Sequence, residues 1–173
     1  MKVAWVLLTV VVAVVLQVNL ARYTVGGRWV FDLVLVGVVF ASLQWGAVAG
    51  ILAGTTGGLL QDMLAGGVVG VGGLSKTIVG FATGVVGTQF VLVKPQARVI
   101  IVVVATVLHR LMILATYGLI DQKWPGISWT GMLWETGLNS LAALVVFQAN
   151  NALPGVISRQ RGSRRSSLSR RQW

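Results

Sequence analysis

The sequence predicts an all-α polytopic membrane protein with six transmembrane helices, and three observations predict it. Of the 173 residues, 55% are hydrophobic and only 10% are charged, where a soluble domain carries about a quarter charged residues. Six apolar segments follow one another, most of them near the ~20 residues that cross ~30 Å of hydrocarbon. Many of the 22 glycines fall four residues apart in two adjoining segments, the spacing of closely packed membrane helices.

The first segment runs from Val3 to Ala21. Lys2 and the Val/Leu run that follows would suit a signal peptide, but Asn19, Leu20 and Ala21 lack the small-x-small cleavage pattern, so a retained helix is expected. The second runs from Trp29 to Leu43 and the third from Trp45 to Leu64, joined by the short Gln44, Trp45, Gly46 link. Because the second is short, five spans with one re-entrant hairpin is the alternative. The fourth covers Gly72–Val93, the fifth Arg98–Ile120 and the sixth Ser128–Leu153. The β-branched run from Val99 to Val107 would suit a strand in water. In lipid an open strand leaves backbone groups unsatisfied, and the runs lack the period-two alternation of a barrel.

Residues 1–157 are thus expected to form the transmembrane domain, and 158–173 a disordered basic tail. The net charge of +10 divides the same way. Six of the fourteen basic residues are Arg159, Arg161, Arg164, Arg165, Arg170 and Arg171, which leaves eight against four acids in the body. Arginines close to a helix end attract anionic lipid at about 1 kcal/mol each, and this reading is preferred to RNA for the tail. Counting loop charges, Lys2, Lys94, Arg98 and the tail fall on one side, and Arg22, Arg28 and Lys123 on the other. The positive-inside rule then puts both termini in the cytoplasm. Trp29, Trp45, Trp124, Trp129 and Trp134 fall where aromatic belts belong.

Gly46, Gly50, Gly54 and Gly58 recur every four residues, and Gly80 and Gly84 repeat the spacing in the next segment. Residues so spaced share a helix face. They suit close packing of the third and fourth helices on each other, or else a face for a second copy or a partner.

Ionisable residues inside spans are expensive and mark candidate sites. Here they are Asp32, Asp62, Lys76, Arg110 and Glu135. At ~1.5 Å rise per residue all five lie at mid-membrane or toward the outer face. Asp62 with Lys76 is the first pair expected, Arg110 with Glu135 the second. If Asp62 and Lys76 pair, exchanging the two charges should partly rescue the single variants. The cluster is read as structural ion pairs first, then as an outward-facing pocket, then as a path for protons or ions. His109 is read as a packing residue.

Several chemistries are set aside. With no cysteine and one histidine, thiol nucleophiles, Cys-ligated metals and zinc hydrolysis are not supported. Gly70 to Thr77 reads GVGGLSKT, like a P-loop with Ser75 in place of the second glycine, but no strand precedes it. No Gly-x-Ser-x-Gly elbow occurs. Neither an enzyme nor a cofactor is expected.

Gly58 to Leu64 reads GLLQDML; Gly70 follows, and then Gly73 to Phe81, GLSKTIVGF. This stretch of about 25 residues resembles the rod shape-determining MreD family, and the layout of the whole chain suits it too. The resemblance implies a fold similar to the substrate-binding subunit of energy-coupling-factor transporters. It implies a non-enzymatic scaffold of the bacterial cell-elongation machinery in the inner membrane, which helps direct lateral peptidoglycan synthesis. The expected direct partner is MreC, with MreB, RodA and a class B penicillin-binding protein in the wider complex. Asp62, Lys76 and the neighbouring glycines match the family segment. A substrate-binding subunit of a vitamin-type transporter is the alternative, and a proton-coupled carrier a third.

Overall fold

The computed structural model describes the backbone of residues 2–21, 31–66, 68–89, 95–122, 126 and 128–169, and the side chains of 3–20, 31–66, 68–89, 96–120, 122, 126 and 128–150. These residues form six helices: α1 (Lys2–Ala21), α2 (Leu33–Trp45), α3 (Ala47–Ala65), α4 (Val71–Gln89), α5 (Pro95–Asp121) and α6 (Trp129–Ser169). Two of them, through Val3–Leu20 and Gln96–Ile120, are long and apolar enough to cross a membrane. The start of the second expected span at Trp29, the end of the fourth at Val93, and Arg22, Arg28, Lys94, Lys123 and Trp124 lie outside the described residues. α6 continues to Ser169, so its helix runs through most of the segment expected to be disordered. The side chains of the tail arginines lie outside the described ones.

The helix limits follow from local chemistry. α2 has only 13 residues, about 20 Å of helix. It begins late because Asp32 caps it, accepting from Leu35 N at 2.9 Å. Asp32 therefore stands at the mouth of the helix. α2 ends at Gly46, whose φ of 90° and ψ of −175° suit glycine alone. The chain turns there in one residue, and α3 follows at once. α3 closes on Gly66 in the left-handed conformation, φ 70°. α5 opens on Pro95, whose missing N–H is no loss in a first turn.

α2 is the axis of the bundle and touches all five other helices. One of its faces packs Val34, Val38 and Ala41 against Val6, Val10 and Val14 of α1 and Ala49 and Ala53 of α3. The other packs Leu35, Val36 and Val39 against Val79, Val102, Ala105, Ala143 and Phe147 of α4, α5 and α6. At the far end of that cluster the Arg98 guanidinium lies 5.4 Å from the Phe147 ring centre.

α3 and α4 lie backbone to backbone. A methyl group on Gly50 would meet the Gly80 carbonyl, one on Gly54 the Lys76 carbonyl, and one on Gly84 the backbone of Ala47 and Gly46. On Gly58 it would stand 2.5 Å from Gly73 Cα. The glycine strip is thus used within the chain. Hydroxyls add rungs: Thr55 with Thr77 at 2.8 Å, and Ser42 of α2 with Thr83 of α4 at 2.7 Å.

The surface reverses the usual distribution. Leu7, Leu8, Val11 and Val15 on α1, Phe81 on α4, Ile100 and Val104 on α5, and Leu133, Trp134 and Val145 on α6 are all exposed, while Gln17, Asp32, Lys76, His109, Glu135 and Asn139 are buried. Broad apolar surface of this kind marks contact with lipid or with protein.

Candidate functional site

The site grows from the broken start of α2. Phe31 and Asp32 precede the helix, so their backbone groups need partners from elsewhere. Gln17 of α1 supplies two: its Nε2 donates to the Phe31 carbonyl at 2.9 Å, and its Oε1 accepts from Leu33 N at 2.7 Å. Asn139 of α6 supplies a third, its Oδ1 accepting from Asp32 N at 2.8 Å. The other end of that amide donates to Thr106 Oγ1 of α5 at 3.3 Å. Two helices, α1 and α6, thus hold one short stretch of backbone in place, and α5 steadies the asparagine.

That frame aims the Asp32 carboxylate at α4 and α5. Lys76 Nζ stands 2.7 Å from Asp32 Oδ2, with both side chains less than a tenth exposed. His109 Nε2 lies 3.3 Å from the same oxygen and 3.2 Å from Lys76 Nζ. On the far side of the ring, His109 Nδ1 is 2.9 Å from Ser75 Oγ, and Ser75 Oγ is 3.0 Å from the Gly72 carbonyl. Two proton arrangements fit these atoms. In one, Lys76 donates to Asp32 and to His109 Nε2, His109 Nδ1–H donates to Ser75, and Ser75 donates to Gly72. In the other, His109 Nε2–H donates to Asp32 Oδ2 and Nδ1 accepts from the Ser75 hydroxyl. Ser75, His109 and Asp32 follow one another as in a hydrolase, but Ser75 is 1% exposed and its Oγ also lies 3.0 Å from the Gly72 carbonyl.

The pair expected between Asp62 and Lys76 is not made, because Asp32 takes the lysine. Asp62 instead caps α4. Its Oδ2 accepts from Gly70 N at 2.8 Å and from Gly73 N at 3.1 Å. A helix N-terminus attracts an anion, and here the chain's own carboxylate fills that place. Gly72 is needed for the approach, since a methyl group there would run into Asp62 Oδ1. This also accounts for the P-loop-like reading of Gly70 to Thr77. Losing the cap in Asp62→Ala is expected to cost ~1–2 kcal/mol. The exchange Asp62→Lys with Lys76→Asp should melt no higher than the worse single variant. A melting temperature recovered above both would restore the Asp62–Lys76 pairing.

Arg110 Nη1 and Glu135 Oε2 stand 3.7 Å apart, the arginine about a third exposed. With them the five ionisable residues Asp32, Asp62, Lys76, Arg110 and Glu135 surround one cavity of about 160 Å³. Asp32, Lys76 and His109 form its buried floor, Gln61 and Ile113 its wall, and Phe31, Tyr117 and the exposed Ala65 its rim. His109 is therefore part of the site and more than packing. Sequence reasoning gave Gln17, Thr106 and Asn139 no part in the site and met Ser75 only in the P-loop-like stretch. For Gln17 and Asn139 a signal was present: an amide inside an apolar helix is an unmet hydrogen-bonding demand.

Compared with known protein families, curated proteins and solved structures, the chain finds no match. The likeness to one family rests on the residues of Gly58–Phe81 and on the layout of the chain.

Proposed function

We propose that the chain is a non-enzymatic scaffold of the bacterial cell-elongation machinery, similar to MreD, lying in the cytoplasmic membrane as six helices with both termini in the cytoplasm. It binds MreC directly. MreB, RodA and a class B penicillin-binding protein belong to the wider complex, and the tail arginines meet anionic lipid. One observation carries this reading. The residues of the resemblance work as a unit: Asp62 closes the glycine loop onto α4, and Gly58 and Gly73 allow the close approach of α3 to the turn of α4 that carries Lys76. A motif whose members share one structural task is a stronger likeness than scattered identities. The polar lattice supports a rigid body with apolar faces left for other membrane helices.

The test is purification of the tagged full chain from its own host in mild detergent, together with its depletion. MreC in the eluate and rounding of rod-shaped cells are the expected results. Cells that stay rod-shaped, with no MreC recovered, would sink the proposal.

The cavity favours the transporter reading as the alternative. Its size limits that reading, however. An engineered cavity of roughly 150 Å³ takes benzene, and a vitamin is far larger. A vitamin that raises the melting temperature would favour this alternative and require the helices to part.

A further inference from the structure

Among the described residues the charges around the cavity do not close. The floor is complete, with Lys76 against Asp32, and Arg110 faces Glu135. Asp62 is different. Among the described residues no cation stands within ion-pair distance of it, and both of its hydrogen bonds fall on Oδ2, leaving Oδ1 without a donor. Beside it in sequence, Gln61 Oε1 is buried with no hydrogen-bond partner. A buried acceptor without a donor costs about 1–3 kcal/mol, so such atoms in native proteins call for a partner. Both residues line the same cavity.

The vacant valences define the ligand's chemistry. Gln61 Oε1 is a buried acceptor without a donor, the anionic Asp62 Oδ1 has no protein donor among the described residues, and the lysine and the arginine already face carboxylates. Among the described residues an anion would meet unpaired oxygens and no free cation. A metal ion is also unsuited, since among the described residues no three His, Asp or Glu side chains converge to hold one. The volume admits a ligand about the size of benzene, which excludes a whole helix about 10 Å wide. Phe31 and Tyr117 also line the cavity, and aromatic faces attract a desolvated cation.

We propose that this cavity binds a primary ammonium on a short aliphatic stem, with Asp62 and Gln61 Oε1 receiving its protons. The ammonium belongs either to a free amine or to a lysine side chain offered by a neighbouring protein. The inference stands whether or not the chain is an MreC-binding scaffold.

The experiment titrates n-butylammonium chloride into the full chain in lipid nanodiscs and follows the melting temperature, with n-butanol and sodium butyrate as controls. A saturable rise with the ammonium alone is expected. Gln61→Met removes the orphaned oxygen at nearly constant volume, so it should melt no lower than the native chain. It should bind n-butylammonium about tenfold more weakly, the loss of one charge-assisted hydrogen bond. Asp62→Asn, which keeps an oxygen to cap α4, should weaken binding further. A lysine residue blocked at both ends separates the sources. If it binds as well as n-butylammonium, a protein side chain is the occupant; if it is excluded, a free amine is. No saturable response to the ammonium, an equal response to n-butanol, a response to butyrate instead, or an undiminished response in Gln61→Met would each overturn the proposal.

Discussion

Lys76→Met is expected to lower the stability of the protein by about 3–5 kcal/mol, the range for removing one member of a buried ion pair. Net stabilities of domains are roughly 5–15 kcal/mol, so much of the purified protein should be lost from the monodisperse peak. The reason lies in what remains. Asp32 is 6% exposed, and without the ammonium its Oδ2 keeps only His109 nearby. Asp32→Asn is milder. An asparagine oxygen can still cap Leu35 N, and only the Lys76 ammonium is stranded. The double variant Asp32→Asn with Lys76→Met removes both charges, and it should be more stable than the sum of the single losses predicts. Thermal or denaturant unfolding in micelles of all four proteins gives the coupling energy, which for groups in contact falls at about 0.5–3 kcal/mol. Strictly additive losses would mean that the 2.7 Å contact contributes nothing to folding.

The same pair shows what sequence could and could not supply. The six helices were legible from apolar runs, and the break at Gly46 from the short join before it. That five charged residues belong together was legible from their depth alone. Which acid meets which base was not. Asp62 and Lys76 are near in sequence and flank one loop, so proximity favoured them. The actual partner of Lys76 comes from α2, 44 positions earlier. It reaches the lysine because Gln17 and Asn139 hold the unwound start of α2 in place. Asp62 was drawn off by a rival that charge counting ignores, the free N–H groups at the start of α4. Backbone donors at a helix end compete for carboxylates, and sequence carries no distance with which to rank them against a lysine.

Gly54→Ala is expected to be among the most damaging single-methyl additions at the described glycines, at about 3 kcal/mol or more, the upper part of the range for overpacking. Its Cβ would meet the Lys76 carbonyl, with the carbonyl carbon at 2.6 Å and Thr77 Cα at 2.7 Å. All of these atoms are backbone, so no rotamer change relieves the clash and the two helices must separate. Intrinsic propensity argues the other way, since alanine is favoured over glycine in a helix by up to ~1 kcal/mol. Two other substitutions isolate the packing effect. Gly137→Ala in α6 meets nothing within 4 Å and should keep or raise the melting temperature. Gly57→Ala meets side-chain methyls, Val34 Cγ1 at 2.9 Å and Val10 Cγ1 at 3.3 Å, which can shift, so its loss should fall between the other two. Propensity alone would rank the three as equals, and Gly54→Ala melting with Gly137→Ala would refute the close approach. The effect should also reach the cavity. The carbonyl that the new methyl displaces belongs to Lys76, so parting α3 from α4 draws the ammonium away from Asp32 and moves Gln61 and Asp62 relative to the cavity floor. In Gly54→Ala the response to n-butylammonium should therefore fall together with stability, whereas in Gly137→Ala it should be unchanged.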